Sequence, residues 1–429
     1  MGAFSDMSPL NINHWILLLA FSASSLGSGA AEDILENNSS TGHFRVCWNG
    51  DPTAEATIAW TQFEGAPGTV YFGTTDQGRR HHLYELKQAT HRATEYDGII
   101  QCFARLEELK PDTDYFFCIE DGKGVSPRLK FRTAPDTPQP ITFISGGDSR
   151  NNRAARIGAN LICRQLRPLF IAFTGDMISS DNAKDWRAWL EDWQKMIDDD
   201  GNIIPIVAHR GNHERRPLTI YHYFDTPKDA YYAFSIGGSL FRYYALNSEI
   251  PADGAQGEWL AKDLKASRES VTHLVAGYHK PMRPHVSKKS EGKNPFLWAR
   301  TFYENGLDLG IESDSHVVKW TQPIKPDPQG DEGFAHAPND PNATVFIGEG
   351  CWGAPLRDAN DKKSWTVDAA SFNAIDWIKV TSEGMTIRTV DVDKSSGLKA
   401  VEETSSYASP EGLSLWTSKL GDELKISAD

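Results

Sequence analysis

The sequence predicts two folded parts, an all-β sandwich followed by an α/β domain, and three observations predict them. From Gly42 to about Arg132 short strand-like runs are separated by turns rich in Gly, Asp and Pro, the spacing of a sandwich. Thr133–Pro140 (TAPDTPQP), with three prolines, interrupts that pattern as a linker. Beyond it, short apolar runs alternate with helical stretches, as in α/β proteins. A length of 429 residues suits two or three domains, and 39% hydrophobic residues with 13 Trp and 20 Phe suffice to pack them.

Taken in order, the chain starts with an apolar segment, Trp15–Leu26 (WILLLAFSASSL), followed by GSGAAED. Its length suits the apolar region of an export signal over residues 1–31, with small residues for cleavage near Ala30 or Ala31. The preceding MGAFSDMSPLNINH lacks Lys and Arg, so an uncleaved anchor is the alternative. A secreted or periplasmic protein, with no stable membrane association after cleavage, is expected. Residues 32–41 are polar and read as a linker, and residues 42–135 as the sandwich. Its runs are Phe44–Trp48, Ala54–Trp60, Gly68–Phe72, Ile99–Leu106, Asp114–Ile119 and Arg128–Phe131. No catalytic constellation falls there, which suits a scaffold or lid.

The α/β part spans residues 140–395. Arg153–Leu166 places Ile157, Leu161 and Ile162 at helical spacing. Ala183–Asp198 puts Trp186, Trp189, Leu190, Trp193 and Ile197 on one face, a core-facing stripe. Gly257–Lys265 (GEWLAKDLK) is a further amphipathic helix, and Ala343–Gly348 and Ile375–Val392 read as closing strands. The tail, residues 396–429, is polar, with one short helix or a mobile segment as the alternatives.

A net charge of −14 argues against nucleic acid or an anionic membrane as the main partner. Small anions remain acceptable, since metal ions or a few Arg reverse the field locally. The cysteines, at 47, 102, 118, 163 and 351, form no CxxC pair, which excludes a zinc ribbon. In an exported chain one disulfide among the first three is open. Oligomeric state is not legible.

Chemistry concentrates in five segments of the α/β part, each offering metal-ligand types at or just after an apolar run. ITFISGGDSR offers Asp148, and LFIAFTGDMIS offers Asp176. NIIPIVAHRGNHE offers Asn212 and His213, VTHLVAGYHKPM offers His279, and LDLGIESDSHVVKW offers Asp314 and His316. Strand ends along one sheet rim aim such groups inward from distant parts of a chain. A mixed shell of carboxylate, amide and imidazole suits two hard cations sharing an anionic bridge, and leaves room for a phosphate ester. Any one of these segments alone is weak; the set and its order are specific.

That order resembles the calcineurin-like metallophosphoesterases, and within them the purple acid phosphatases. LEELKPDTDYFFCIEDG with LKFRTAP resembles the end of a fibronectin III-like domain, matching that family's front module. QGEWLAKDL at Gln256–Leu264 and FIGEGCWG at Phe346–Gly353 are similar to further family motifs. The likeness covers residues 42–395. It implies a fibronectin III-like sandwich before a four-layer α/β/β/α metallophosphoesterase domain. It also implies a dinuclear centre, iron with manganese or zinc, acting on a small phosphate monoester through a metal-bound hydroxide.

By that resemblance Asp148 and His316 bind the first metal and Asp176 bridges both. Asn212 and His279 bind the second, and His213 contacts the phosphate or protonates the leaving group. Two departures qualify the likeness. Ser179 stands where the family has the tyrosine that colours the iron, so a colourless protein is expected. Ser313-Asp314-Ser315-His316 replaces Gly-His-x-His, and Asp314 is taken as an oxygen ligand favouring harder ions. Arg150 is a candidate phosphate clamp and catalytic group, with a solvated surface arginine as the plain alternative. His285 and Arg283 are candidate substrate contacts, whereas His209, His222 and Arg215 are set aside. A phosphodiesterase of the same fold and a binding module with a decayed centre are the rivals.

Overall fold

The computed structural model describes residues 34–289 and 293–428. The expected export signal lies outside the described residues. Among the described residues no helix is long and apolar enough to cross a membrane.

The front part is β-rich, as its alternating pattern requires. Thr41–Cys47, Ala56–Gln62, Ile99–Leu106 and Arg92–Tyr96 lie side by side in one sheet. Leu86–Ala89, Thr69–Gly73, Asp114–Glu120 and Leu129–Arg132 form a second. Successive strand side chains point to opposite faces, so Phe44 and Val46, Ile58 and Trp60, Val70 and Phe72, and Phe117 and Ile119 meet in one cluster. Leu86–Ala89 and Arg92–Tyr96 were not expected as strands. Their side chains are largely exposed or half-buried, which removes the apolar alternation that marks a strand.

The front sheet does not end at the proline-rich linker. Thr41–Cys47 runs parallel to Ile206–Ala208 with Cys47 opposite Ile206, and Trp48 N–H donates to the Ile206 carbonyl at 3.1 Å. One sheet of ten strands therefore continues through Ile206–Ala208, Phe170–Phe173, Ile141–Gly146, Ala374–Thr381, Gly384–Asp391 and Leu424–Ser427. A mixed sheet of seven strands carries Phe241–Ala245, His273–Gly277, Leu309–Glu312 and Val345–Gly348 as its parallel centre.

The strands that lead to the candidate ligands are buried on both faces. Phe170 and Ala172 join Phe143, Val207, Tyr243, Val275 and Ile311 in a core between the two sheets. Ile171 and Phe173 point the other way, onto Trp186, Trp189, Trp193 and Cys163 of the helices Arg153–Leu166 and Ala183–Trp193. That is why these strands read as unbroken apolar runs. Both helices start where their sequences offer a cap: Asn152 accepts from Ala155 N–H and Asn182 from Asp185 N–H. On the second sheet, Leu260 and Leu264 from Ala255–Ser267, with Trp298 and Phe302 from Lys293–Glu304, pack on Leu274, Ala276 and Phe346. Each such fully buried side chain contributes about 1.5–3 kcal/mol.

The polar tail forms an edge strand rather than a helix. Leu424–Ser427 pairs antiparallel with Gly384–Asp391, and Trp416 packs edge-on against Trp320 at 4.9 Å. Ladder hydrogen bonds hold such a strand with few apolar side chains. All five cysteines are buried. Cys47 packs on the helix side and Cys102 inside the sandwich, on different faces, so no disulfide joins them.

Candidate metal centre

Five strand ends turn toward one point, and their backbones are bent to do so. Asp148, Asp176, Asp314 and His316 all have left-handed φ, between +55° and +69°. Such conformations cost about 1–3 kcal/mol each in a non-glycine residue and persist where the surroundings over-determine them. Gly175 and Gly350 make the close approach possible. A Cβ on Gly175 would lie 2.6 Å from Gly211 N, and one on Gly350 only 1.9 Å from Asp148 Oδ2.

Glu214, the last residue of GNHE, locks two of these turns together. Its Oε2 accepts from the N–H groups of Asp176 (2.9 Å) and Gly211 (2.8 Å), and its Oε1 accepts from Met177 N–H (2.8 Å). Burial, with the Asp176 carboxylate beside it, pushes Glu214 up to about 7. The sequence reading assigned it no role; the glutamate closing GNHE was the available signal.

Three imidazoles are oriented by backbone carbonyls. His279 Nδ1 donates to Thr174 O at 2.9 Å, His316 Nδ1 to Pro355 O at 2.7 Å and His213 Nδ1 to Ser179 O at 2.6 Å. A carbonyl only accepts, so each neutral ring carries its proton on Nδ1 and presents the Nε2 lone pair. The lone pairs of His279 and His316 face side-chain oxygens, whereas that of His213 meets the Arg150 guanidinium. His279 Nε2 lies 3.3 Å from Asp176 Oδ1, 3.2 Å from Asn212 Oδ1 and 3.7 Å from Asp314 Oδ1. His316 Nε2 lies 3.1 Å from Asp148 Oδ1, a buried oxygen with no hydrogen-bond donor.

Ligand atoms of Asp148, Asp176 and His279 all lie within 4.8 Å of one another, and all three residues are buried. Acceptors facing acceptors in a dry site demand positive charge. Burial alone would depress His279, yet Asp176, Asp148 and Asp314 raise it well above the ordinary range. Burial likewise opposes ionisation of Asp176, but His279 and His213 hold it below the usual carboxylate range. Orphaned Asp148 Oδ1 and the opposed lone pairs are the donor set that metal cations fit.

Residues 42–133 match the purple acid phosphatase N-terminal domain, and residues 146–318 match the calcineurin-like phosphoesterase family. The chain carries a calcineurin-like phosphoesterase domain. Among solved structures it is similar to purple acid phosphatase PPD1 from yellow lupin (Lupinus luteus) seeds. That match has 14% identity and a TM-score of 0.69, over 92% of this chain and 75% of that one. It is also similar to PhoD, at 10% identity and a TM-score of 0.64, over 92% of this chain and 94% of that one. These identities speak to the fold alone. No curated protein matches significantly. The fold of a metallophosphoesterase implies a dinuclear metal site and small phosphate-ester substrates.

The remaining candidates of this phosphoesterase divide sharply. Arg150 enters the cluster: its guanidinium bonds to His213 Nε2 and, at 2.8 Å, to His316 Nε2, with Nε 3.7 Å from Asp176 Oδ2. The plain surface reading of this arginine is excluded by those contacts. Asp314 lies at the centre too. Its N–H donates to Asp148 Oδ2 at 2.7 Å, and its carboxylate takes Lys289 Nζ at 2.6 Å. Burial resists its charge, but His279 and Lys289 hold Asp314 below the usual range. Sequence reasoning missed Lys289, which no apolar pattern marks.

His285 does not face the centre, and a substrate contact through it is corrected here. Its ring is fully buried, with Nδ1 2.8 Å from Glu349 Oε1 and Nε2 2.8 Å from Thr366 Oγ1. Glu349 also takes Lys319 Nζ at 3.0 Å, and Lys319 reaches Glu312, whose Oε1 accepts from Tyr278 OH at 2.7 Å. This buried network lies directly behind the candidate ligands, because Tyr278 precedes His279 and Glu349 O accepts from His316 N–H at 2.7 Å. Arg283 stacks on Phe296 at 4.5 Å. His209 is buried between Phe173 O and Tyr243 OH, and His222 stacks on Tyr96 at 4.5 Å.

Proposed function

We propose that this chain is an exported phosphatase that hydrolyses small phosphate monoesters at a dinuclear centre. The observation that supports it most is the set of lone pairs turned on one another, with Asp148 Oδ1 left without a donor. Asp148 and His316 would hold one ion, Asn212, His279 and Asp314 the other, and Asp176 both. Three carboxylates and an amide suit hard ions, so iron with manganese or zinc is the expected pair. Bound there, the two ions would polarise the phosphoryl group and lower the pKa of water.

The chain's own side chains supply the rest. The Arg150 guanidinium, held beside the cluster by two imidazoles, is placed to take two phosphate oxygens in its planar fork. His213 commits its Nδ1 proton to Ser179 O, so Nε2 faces the cluster and is the atom that, once it has taken up a proton, can pass it to the leaving oxygen. Lys289 adds a cation at the Asp314 edge. We assign residues 42–135 as a fibronectin III-like module and residues 140–395 as a four-layer α/β/β/α catalytic part.

The test pairs metal content with ester preference. Protein purified without chelator should hold about two metal equivalents per chain and cleave an aryl monophosphate faster than the bis-ester. Asp176→Asn should abolish both. Faster bis-ester cleavage would move the assignment to a phosphodiesterase, and metal-free inactive protein would leave a binding module.

A further inference from the structure

A cavity of about 530 Å³ opens between the front sheet and the loop that follows the helix Thr219–Phe224. None of the proposed metal ligands lines it. Its volume lies within the range of about 300–1,000 Å³ in which small molecules bind.

The charge of its wall is unusual for a chain of net charge −14. Asp225, buried and with φ +55°, takes Arg92 Nε at 2.7 Å, His91 Nε2 at 3.1 Å and Arg105 Nη2 at 3.2 Å. His91 Nδ1 accepts from Arg105 N–H at 3.2 Å, so the ring is neutral and donates through Nε2. One carboxylate is therefore matched by two guanidinium groups. Lys228, exposed at the rim, has its Nζ 6.0 Å from the Tyr221 ring centroid. Against these three cations the lining offers only Asp225 and Glu55.

Arg92 is already rigid. Its guanidinium lies between the rings of Phe103 and Tyr221, 4.0 Å from each centroid, so little freedom remains to be lost when it binds a ligand. The same wall carries unmet hydrogen-bonding capacity. Arg92 Nη1 has no acceptor and the buried Thr226 hydroxyl has no partner. Asn49 spends Nδ2 on the carbonyls of Phe224 (2.8 Å) and Asp225 (3.1 Å), leaving Oδ1 without a donor.

We infer that this cavity is a second ligand site, separate from the metal centre, for a small hydroxylated organic oxyanion. The oxyanion meets Arg92, Arg105 and Lys228; the hydroxyl serves the Asn49–Thr226 wall; and the Tyr221 ring covers the carbon body. The inference does not depend on how the metal centre is read.

The test is calorimetric titration of the full chain with 2-hydroxyethylphosphonate, whose carbon–phosphorus bond a phosphoesterase does not cleave. One binding equivalent should persist in Asp176→Asn, and ethylphosphonate should bind more weakly at it. Lys228→Gln should weaken it about tenfold, the loss of one hydrogen bond to a charged group, and Thr226→Val about fivefold, the loss of one between neutral groups. Thr226→Val is decisive, because exchanging an unpartnered hydroxyl for a methyl leaves the fold as stable or more so. Binding that vanishes with Asp176→Asn, or that ignores both cavity variants, would overturn the site.

Discussion

His316 Nε2 stands 3.1 Å from Asp148 Oδ1, while its Nδ1 is committed to the Pro355 carbonyl at 2.7 Å. An imidazole lone pair and a buried carboxylate oxygen are thereby aimed at one another, which positive charge beside them makes favourable; Arg150 lends some to His316 at 2.8 Å, and a metal cation is expected to meet Asp148 Oδ1. His316→Ala should therefore lose about one of two metal equivalents and reduce turnover by orders of magnitude. Elemental analysis alongside rates decides it; full metal content with full turnover would sink the assignment.

His213 is expected to act on the leaving group rather than on the metals. His213→Ala should slow an alkyl monoester by about 10²–10⁴-fold, yet slow an aryl ester with a good leaving group far less. Equal losses on both substrates would place His213 in phosphate binding instead.

Lys319 is fully buried between Glu312 and Glu349. Removing one partner from such a network strands the other charges in a dry core. Lys319→Met should destabilise the fold by about 3–5 kcal/mol in denaturant unfolding. Restoring part of that loss with apolar residues at 312 and 349 would support the cause given.

Asp376 is buried, and burial pushes its carboxyl up to about 7 although the Thr389 hydroxyl donates to it at 2.5 Å. The folded chain then binds a proton that the unfolded chain has released, over the window from about pH 4 to pH 7. Stability from this group is full below that window and is lost as pH rises through it, by at most about 4 kcal/mol. Asp376→Asn should flatten that slope in thermal unfolding measured from pH 4 to 8. An unchanged slope would mean the carboxyl titrates normally.

Much of the cluster was legible because the candidate ligands end apolar runs. Phe170–Phe173 is buried on both faces, so its boundary at Gly175-Asp176 is visible as a change of residue type. Arg153–Leu166 and the tryptophan face of Ala183–Trp193 were legible for the same reason, since burial imposes a helical period. His285 misled because a histidine near a ligand in sequence has the same residue type whether its ring faces a cleft or a buried glutamate. Leu424–Ser427 was hidden because an edge strand is held by backbone bonds, which leave no side-chain signature.

The sequence by itself therefore determined the order of parts, the strands that carry Asp148, Asp176, Asn212, His279, Asp314 and His316, and the resemblance they compose. Those features depend on burial along a single element, and burial selects residue types. Only the tertiary structure decided that the front sheet joins the second part through Cys47 and Ile206, that Glu214 locks two turns, and that Lys289 meets Asp314. These depend on which surfaces come together after the chain closes, and neither backbone pairing nor the reach of a long charged side chain is written in local pattern.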